Sequence, residues 1–268
     1  MKAVNVADAD IPDSIPHDKF AKWAGGHARS KALEVFTPNY DMLIEIALEK
    51  AFVPVFDGFA GTHKPFFLPE LVERESMMPS RDWVRIWKIH GSVNWELSST
   101  PAGNRICRTA SRSATHLILP SHLKYDESRK QPYLAMLGRL SKLVDQEDAL
   151  LIILGYSFSD DHINAAIIDS LERRRRAHAI LLSYNDVDTG SRSVKTAQEL
   201  SNLTVAGPNA AVIGGHFDDW SDKIDPDDAH AAAVGDSIQL PESAAGTRTR
   251  MLLGDFNRFC SFLESMTD

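Results

Sequence analysis

An uninterrupted apolar run, Ala149-Leu150-Leu151-Ile152-Ile153-Leu154, restricts the fold more than any other stretch of the chain. Without polar alternation, a run of that length suits a strand covered on both faces, as strands inside parallel sheets are. Gly155-Tyr156-Ser157-Phe158-Ser159-Asp160-Asp161 then turns the chain, a helix is expected from about His162 to Arg176, and Ala179-Ile180-Leu181-Leu182 supplies the next strand. Strand, helix and strand make a βαβ unit with a right-handed crossover. The fold class that follows is α/β, a three-layer arrangement with a parallel sheet and helices on both faces.

The first half repeats the passage from strand to loop. Apolar runs at Leu33–Phe36 and Trp83–Ile89 end in Thr37-Pro38-Asn39-Tyr40-Asp41 and His90-Gly91-Ser92. In open α/β sheets such loops gather beyond the carboxyl ends of the strands, where ligands bind, so Asn39, Asp41 and His90 are candidates for one site. Each also has an ordinary explanation. Asp41 precedes a helical pattern (Ile44, Ala47, Leu48, Ala51, Phe52), and aspartate is a preferred N-cap. A lone histidine is commonly a hydrogen-bonded structural residue. The alternation in Trp83–Ile89 predicts a strand with one wet or partly covered face. Residues 54–80, with Pro54, Gly58, Gly61, Pro65 and Pro69, form a long irregular connection of the kind that tends to carry function. A helix around 18–33, interrupted at Gly25-Gly26, a short strand at Leu117–Leu119, a packing helix over 132–144, a short helix near 197–200 and a last strand at Ala210–Ile213 complete the pattern.

Polar residues 1–17, with Pro12 and Pro16, suggest a flexible arm; 18–220 form the domain, 221–247 an acidic, alanine-rich linker, and 248–268 a C-terminal helix. A net charge of -8 provides no global field for a phosphate backbone. The one basic run, Arg173–Arg176, closes a helix, where positive charge suits the dipole, and reads as a solvated helix end; no nucleic-acid partner is expected. Cys107 and Cys260 are the only 2 cysteines, too few for a zinc ribbon or a disulfide framework, which suits a reducing cytoplasm. No window approaches the ~20 apolar residues of a membrane span.

Taken in order on successive strand ends, Thr37-Pro38-Asn39-Tyr40-Asp41, His90-Gly91-Ser92 and Leu154-Gly155-Tyr156-Ser157-Phe158-Ser159-Asp160-Asp161-His162-Ile163-Asn164 resemble the sirtuin-like domains of bacteria. They are most similar to the branch found in antiphage defence proteins, and the resemblance spans roughly residues 18 to 220. It implies a Rossmann-like sheet and NAD as substrate. Thr37, Asn39 and Asp41 match the family's Thr-x-Asn-x-Asp loop. The resemblance implies that Asn39 lies beside the nicotinamide ribose and places the attacking water, while Asp41 holds the nicotinamide carboxamide. His90 corresponds to the histidine that contacts the ribose hydroxyls and serves as base. Gly155 and Ser157 resemble a Gly-x-Ser turn that meets the dinucleotide, and Asn185 falls near an asparagine that reaches the adenosine ribose. The implied partners, besides NAD, are a second copy of the chain or a protein of a defence system.

The residue types agree with that chemistry. The bond between nicotinamide and ribose already has a cationic leaving group, so it needs positioning of the sugar, stabilisation of an oxocarbenium-like transition state and one oriented nucleophile. An asparagine amide can orient water, a histidine can take its proton near neutral pH, and no metal is called for. Lacking the cysteines of the deacylases' zinc ribbon, the chain points to water as nucleophile, and to NAD hydrolysis rather than lysine deacylation. The family's opening strand and Gly-Ala-Gly-x-Ser loop are not matched, since Ala24-Gly25-Gly26 follows a helical pattern. A truncated member, a loop supplied by a partner, and a chain without activity are the explanations left open. Beside the hydrolase, these leave a nucleotide- or ADP-ribose-binding or assembly module, and a protein deacylase or ADP-ribosyltransferase.

Overall fold

The computed structural model describes residues 11–26, 28–101, 103–109, 131–220, 238–239 and 250–266. The chain comprises two compact units, Met1–Leu140 and Ser141–Asp268. Residues 1–10 of the expected arm, the expected strand Leu117–Leu119 and all but two residues of the expected 221–247 linker lie outside the described residues.

In the first unit the order is α1 (Pro16–Gly26), β1 (Glu34–Thr37), α2 (Leu43–Lys50), β2 (Val55–Phe56), β3 (Phe59–Ala60), β4 (Phe66–Phe67), α3 (Pro69–Glu73), β5 (Val84–Lys88), β6 (Trp95–Thr100) and β7 (Gly103–Arg108); α4 (Tyr133–Val144) follows. The central strand β5 pairs in parallel with both β1 and β2, and its alternating side chains face two cores. Val84 and Ile86 pack with Ala21 and Ala24 of α1 and Ala47 and Leu48 of α2. Trp87 enters an aromatic cluster with Phe59, Phe67, Trp95 and Tyr133.

The wet face expected for β5 is therefore absent, and its polar residues are buried too: Arg85 is 5% exposed and Lys88 3%. Charge pairing makes this tolerable, because a buried charge needs a counter-charge and hydrogen bonds to replace its lost hydration. Arg85 pairs with Glu34 at 3.3 Å and Glu75 at 2.7 Å, and Lys88 with Glu45 at 3.2 Å. Glu34 also accepts hydrogen bonds from Trp87 Nε1 and Arg139 Nε, each at 2.7 Å. Burial alone would raise the Glu75 pKa, but the two guanidiniums hold it below the usual carboxylate range.

The irregular 54–80 connection is partly structured, holding β2, β3, β4 and α3. The β3 and β4 strands join β7 and β6 in a four-stranded antiparallel sheet of order β3-β4-β7-β6. Its phenylalanines Phe59 and Phe67 are core residues. Helix α1 begins at Pro16, within the stretch expected to be an arm, and stops at Gly26 rather than resuming toward Leu33. A Cβ on Gly25 would come within 2.9 Å of Val53 Cγ2, so this glycine serves close packing of α1.

The second unit contains β8 (Leu150–Leu154), α5 (Asp161–Arg173), β9 (His178–Leu182), α6 (Arg192–Glu199), β10 (Leu203–Ala206), β11 (Ala210–Ile213), β12 (His216–Asp219), β13 (Ile238–Gln239), β14 (Arg250–Met251) and α7 (Phe256–Ser265). Strands β8, β9 and β10 are parallel, and β11 and β12 add antiparallel at one edge. The βαβ unit forms as expected, but β8 is not covered on both faces. Leu150 is 57% exposed and Ile152 40%, because β8 is the outer strand of its sheet and pairs with β9 alone among the described residues. Strand β10, which the sequence pattern does not announce, lies beside β9. The arginine run is a paired helix end: Arg174 meets Asp145 at 3.1 Å and Arg176 meets Asp148 at 2.7 Å. The chain is thus α/β with Rossmann-like parallel strands and flanking helices.

Candidate functional site

Parallel pairing places the ends of β1 and β5 side by side, with Thr37 opposite Lys88. Asn39 and His90 each follow their strand by two residues, so both loops leave the sheet at its carboxyl rim. Backbone hydrogen bonds tie the loops together: Ile89 N donates to Thr37 O at 3.0 Å, and Val93 N to Tyr40 O at 2.9 Å. Thr37 is 7% exposed, and its hydroxyl accepts from Asn39 N at 3.1 Å, which bends the chain immediately after the strand. Asn39 is exposed and His90 half-buried, with the His90 ring 6.5 Å from that of Tyr40. Burial raises the Tyr40 pKa.

Asp41 has the local role that its position before a helix suggested, displaced by one residue. The residue preceding α2 is Met42, which makes no side-chain cap, while Asp41 Oδ1 accepts from Leu43 N at 3.0 Å. The Asp41 carbonyl accepts from Lys88 Nζ, so the buried ammonium that pairs with Glu45 also fastens this loop. Lys88 and His17 are the neighbours that sequence reasoning missed. His17, in the first turn of α1, has its pKa lowered by burial against the opposing attraction of Asp41 and Asp18. Lys88 had one signal, a lysine in the last position of the strand, between the apolar residues Trp87 and Ile89.

Beside these loops lies a cleft of about 50 Å3, lined by Glu45, Asp57, Lys88, Ser92, Asn94 and Arg108 among others. Asn39, Asp41 and His90 do not line it. Arg108 pairs with Asp57 at 2.9 Å. Even so, burial pushes the Asp57 carboxyl up to about 6.

In the second unit, β8 and β9 run parallel with Leu154 opposite Leu182, so the loops containing Gly155, Ser157 and Asn185 leave at one rim. Gly155 has φ +61°, where glycine carries no Cβ penalty, and Ser157 is exposed with its hydroxyl 2.8 Å from that of Ser159. Asn185 is also exposed, and its carbonyl accepts from Ser183 Oγ at 2.7 Å. Gly207, just past β10, approaches this turn so closely that a Cβ would lie 3.0 Å from Asn185 O. The structure thus gathers Thr37, Asn39, Asp41 and His90 on one rim, and Gly155, Ser157 and Asn185 on another.

One chemical property follows from this geometry. The first rim offers an exposed amide and an imidazole on loops anchored by main-chain bonds, suited to orienting a small nucleophile and taking its proton. No group of three or more metal-ligating side chains occurs among the described residues. A protein-family model described as "SIR2-like domain" matches residues 33–205, a span that includes all seven residues of the two rims. The curated proteins include no match to the chain.

Proposed function

We propose that this chain, which belongs to the SIR2-like domain family, hydrolyses NAD to nicotinamide and ADP-ribose and does so in antiphage defence. The observation that carries this is the side-by-side departure of the Asn39 and His90 loops from parallel strands, inside the span matched to the family. As the bond from the ribose C1′ to the nicotinamide nitrogen breaks, its electron pair neutralises the pyridinium. Water held by the Asn39 amide forms the new bond to C1′, and its proton passes to His90. Asp41 would receive the nicotinamide carboxamide, with Thr37 fixing the bend that presents Asn39. Gly155, Ser157 and Asn185 would meet the rest of the dinucleotide. The exposed side chains Leu150 and Ile152 on outer strand β8 favour association with a second copy or a defence partner.

Purified protein given NAD is expected to release nicotinamide. Asn39→Ala and His90→Ala are each expected to lower the rate at least about 100-fold, in the range typical of a lost acid–base or positioning group, with an unchanged melting temperature. Full turnover by both variants would refute the assignment. ADP-ribose binding without turnover by the wild type would mark a binding module instead. For the cellular role, NAD content during phage challenge should fall in cells carrying the wild type and hold in cells carrying His90→Ala.

A further inference from the structure

The Gly155–Asp160 loop alternates between buried and exposed residues. Phe158 and Asp160 are buried at 3% and 9% and Tyr156 is half-buried, while Ser157 and Ser159 are exposed. One residue contacts all three inward positions, two of them through its side chain and the third through its backbone N. Asn164, on the first turn of α5 and 0% exposed, donates from Nδ2 to Phe158 O at 2.9 Å and accepts at Oδ1 from the Tyr156 hydroxyl at 2.7 Å. Its backbone N donates to Asp160 O at 2.9 Å. The Tyr156 hydroxyl also lies 3.0 Å from Asp160 O. Phe158 meanwhile sits at φ +58°, a conformation that a non-glycine residue keeps only when its surroundings enforce it.

We infer that Asn164 is a positioning residue for NAD binding: it acts through the loop, setting the Ser157 and Ser159 hydroxyls as a fixed pair facing the ligand. This rests on the function proposed above and adds Ser159 to the contact. The N-terminus of α5 is not open to an anion, because Asp160 Oδ1 already accepts from His162 N at 3.0 Å and Ile163 N at 3.3 Å. The hydroxyl pair therefore suits a hydroxyl-bearing part of the ligand, such as a ribose, rather than a phosphate.

Asn164→Asp keeps the acceptor for Tyr156 but sets a carboxylate against Phe158 O. Burial raises the pKa of such a carboxyl, and once protonated it again donates. At about pH 8 the variant should show a KM for NAD roughly tenfold above wild type, with kcat within about twofold, as expected for a buried hydrogen bond lost from a binding loop. As the pH falls to about 5 its KM should return toward wild type. Tyr156→Phe, a milder change, should raise KM about threefold at an unchanged melting temperature, and it decides the matter if Asn164→Asp does not fold. Wild-type KM in both variants, or a loss in kcat and KM that pH does not restore, overturns the inference. If the wild type neither turns over NAD nor binds ADP-ribose, the proposed function fails on its own. Hydrogen exchange at amides 156–160 then still decides the loop: about tenfold faster exchange in a folded variant supports the positioning role, and unchanged exchange refutes it.

Discussion

Replacing Lys88 by methionine tests the account of the first rim directly. The Lys88 ammonium is 3% exposed and sits 3.2 Å from Glu45, whose side chain is 14% exposed. At that separation an effective dielectric of ~20 gives an attraction of about 5 kcal/mol, offset in part by the dehydration of both groups. Methionine fills similar volume, so the change removes charge and hydrogen bonding more than packing. The Glu45 carboxylate then loses this counter-charge, and its Oε2 is already buried without a hydrogen-bond partner. Breaking a buried pair from one side typically costs about 3–5 kcal/mol, and the Asp41 carbonyl loses its donor as well. Adding Glu45→Gln removes the stranded charge, so the double variant should lose only about 1–2 kcal/mol. Urea denaturation followed by tryptophan fluorescence reads this unit well, because Trp87 and Trp95 are buried at 0% and 2% exposure. A loss below about 1 kcal/mol for Lys88→Met, or a further loss on adding Glu45→Gln, would refute the pairing as a stabiliser of the loop.

Three other substitutions probe different parts of the chain. The Asp57 carboxyl is pushed up to about 6 from 3.8, so the folded state binds its proton more tightly than the unfolded state does; that contribution is present at acid pH and is lost as pH rises to about 6. Asp57→Asn should accordingly flatten the pH dependence of the urea midpoint between about pH 4 and 6, and an unaltered slope counts against the assignment. Asn202 Nδ2 lies 3.0 Å from Leu171 O, 3.1 Å from Arg174 O and 3.0 Å from Ala177 O, closing the end of α5. Asn202→Leu should cost about 2–3 kcal/mol in chemical denaturation, and a neutral result would show that water replaces the amide. Gly207→Ala places a Cβ 2.7 Å from Val187 Cγ2 and should lower stability by about 1–3 kcal/mol while shifting the Asn185 turn, detectable as changed amide resonances there.

The strand-to-loop passages were legible in the sequence because they depend on local chemistry: a short apolar run, then a polar turn, then helical spacing. That logic located β1, β5, β8 and β9 and the loops after them, and it fixed the fold class. It failed where local pattern carries little. The two-residue strands β2, β3 and β4 are too short to show a period, and they form through pairing with partners elsewhere in the chain. Strand β8 looked doubly covered because a hydrophobic run reports what a segment can bury, whereas coverage depends on what packs against it.

Residue types alone determined which side chains are capable of the chemistry at each rim: an amide, an imidazole, a carboxylate and a pair of hydroxyls at the ends of strands. Only the tertiary structure decided that β1 and β5 are parallel neighbours, which is why Asn39 and His90 leave on the same side of the sheet. It also decided that Arg85 and Lys88 are buried. Their counter-charges, Glu34, Glu45 and Glu75, lie from 10 to 51 residues away in the chain, and no local window contains an attraction that exists only after folding.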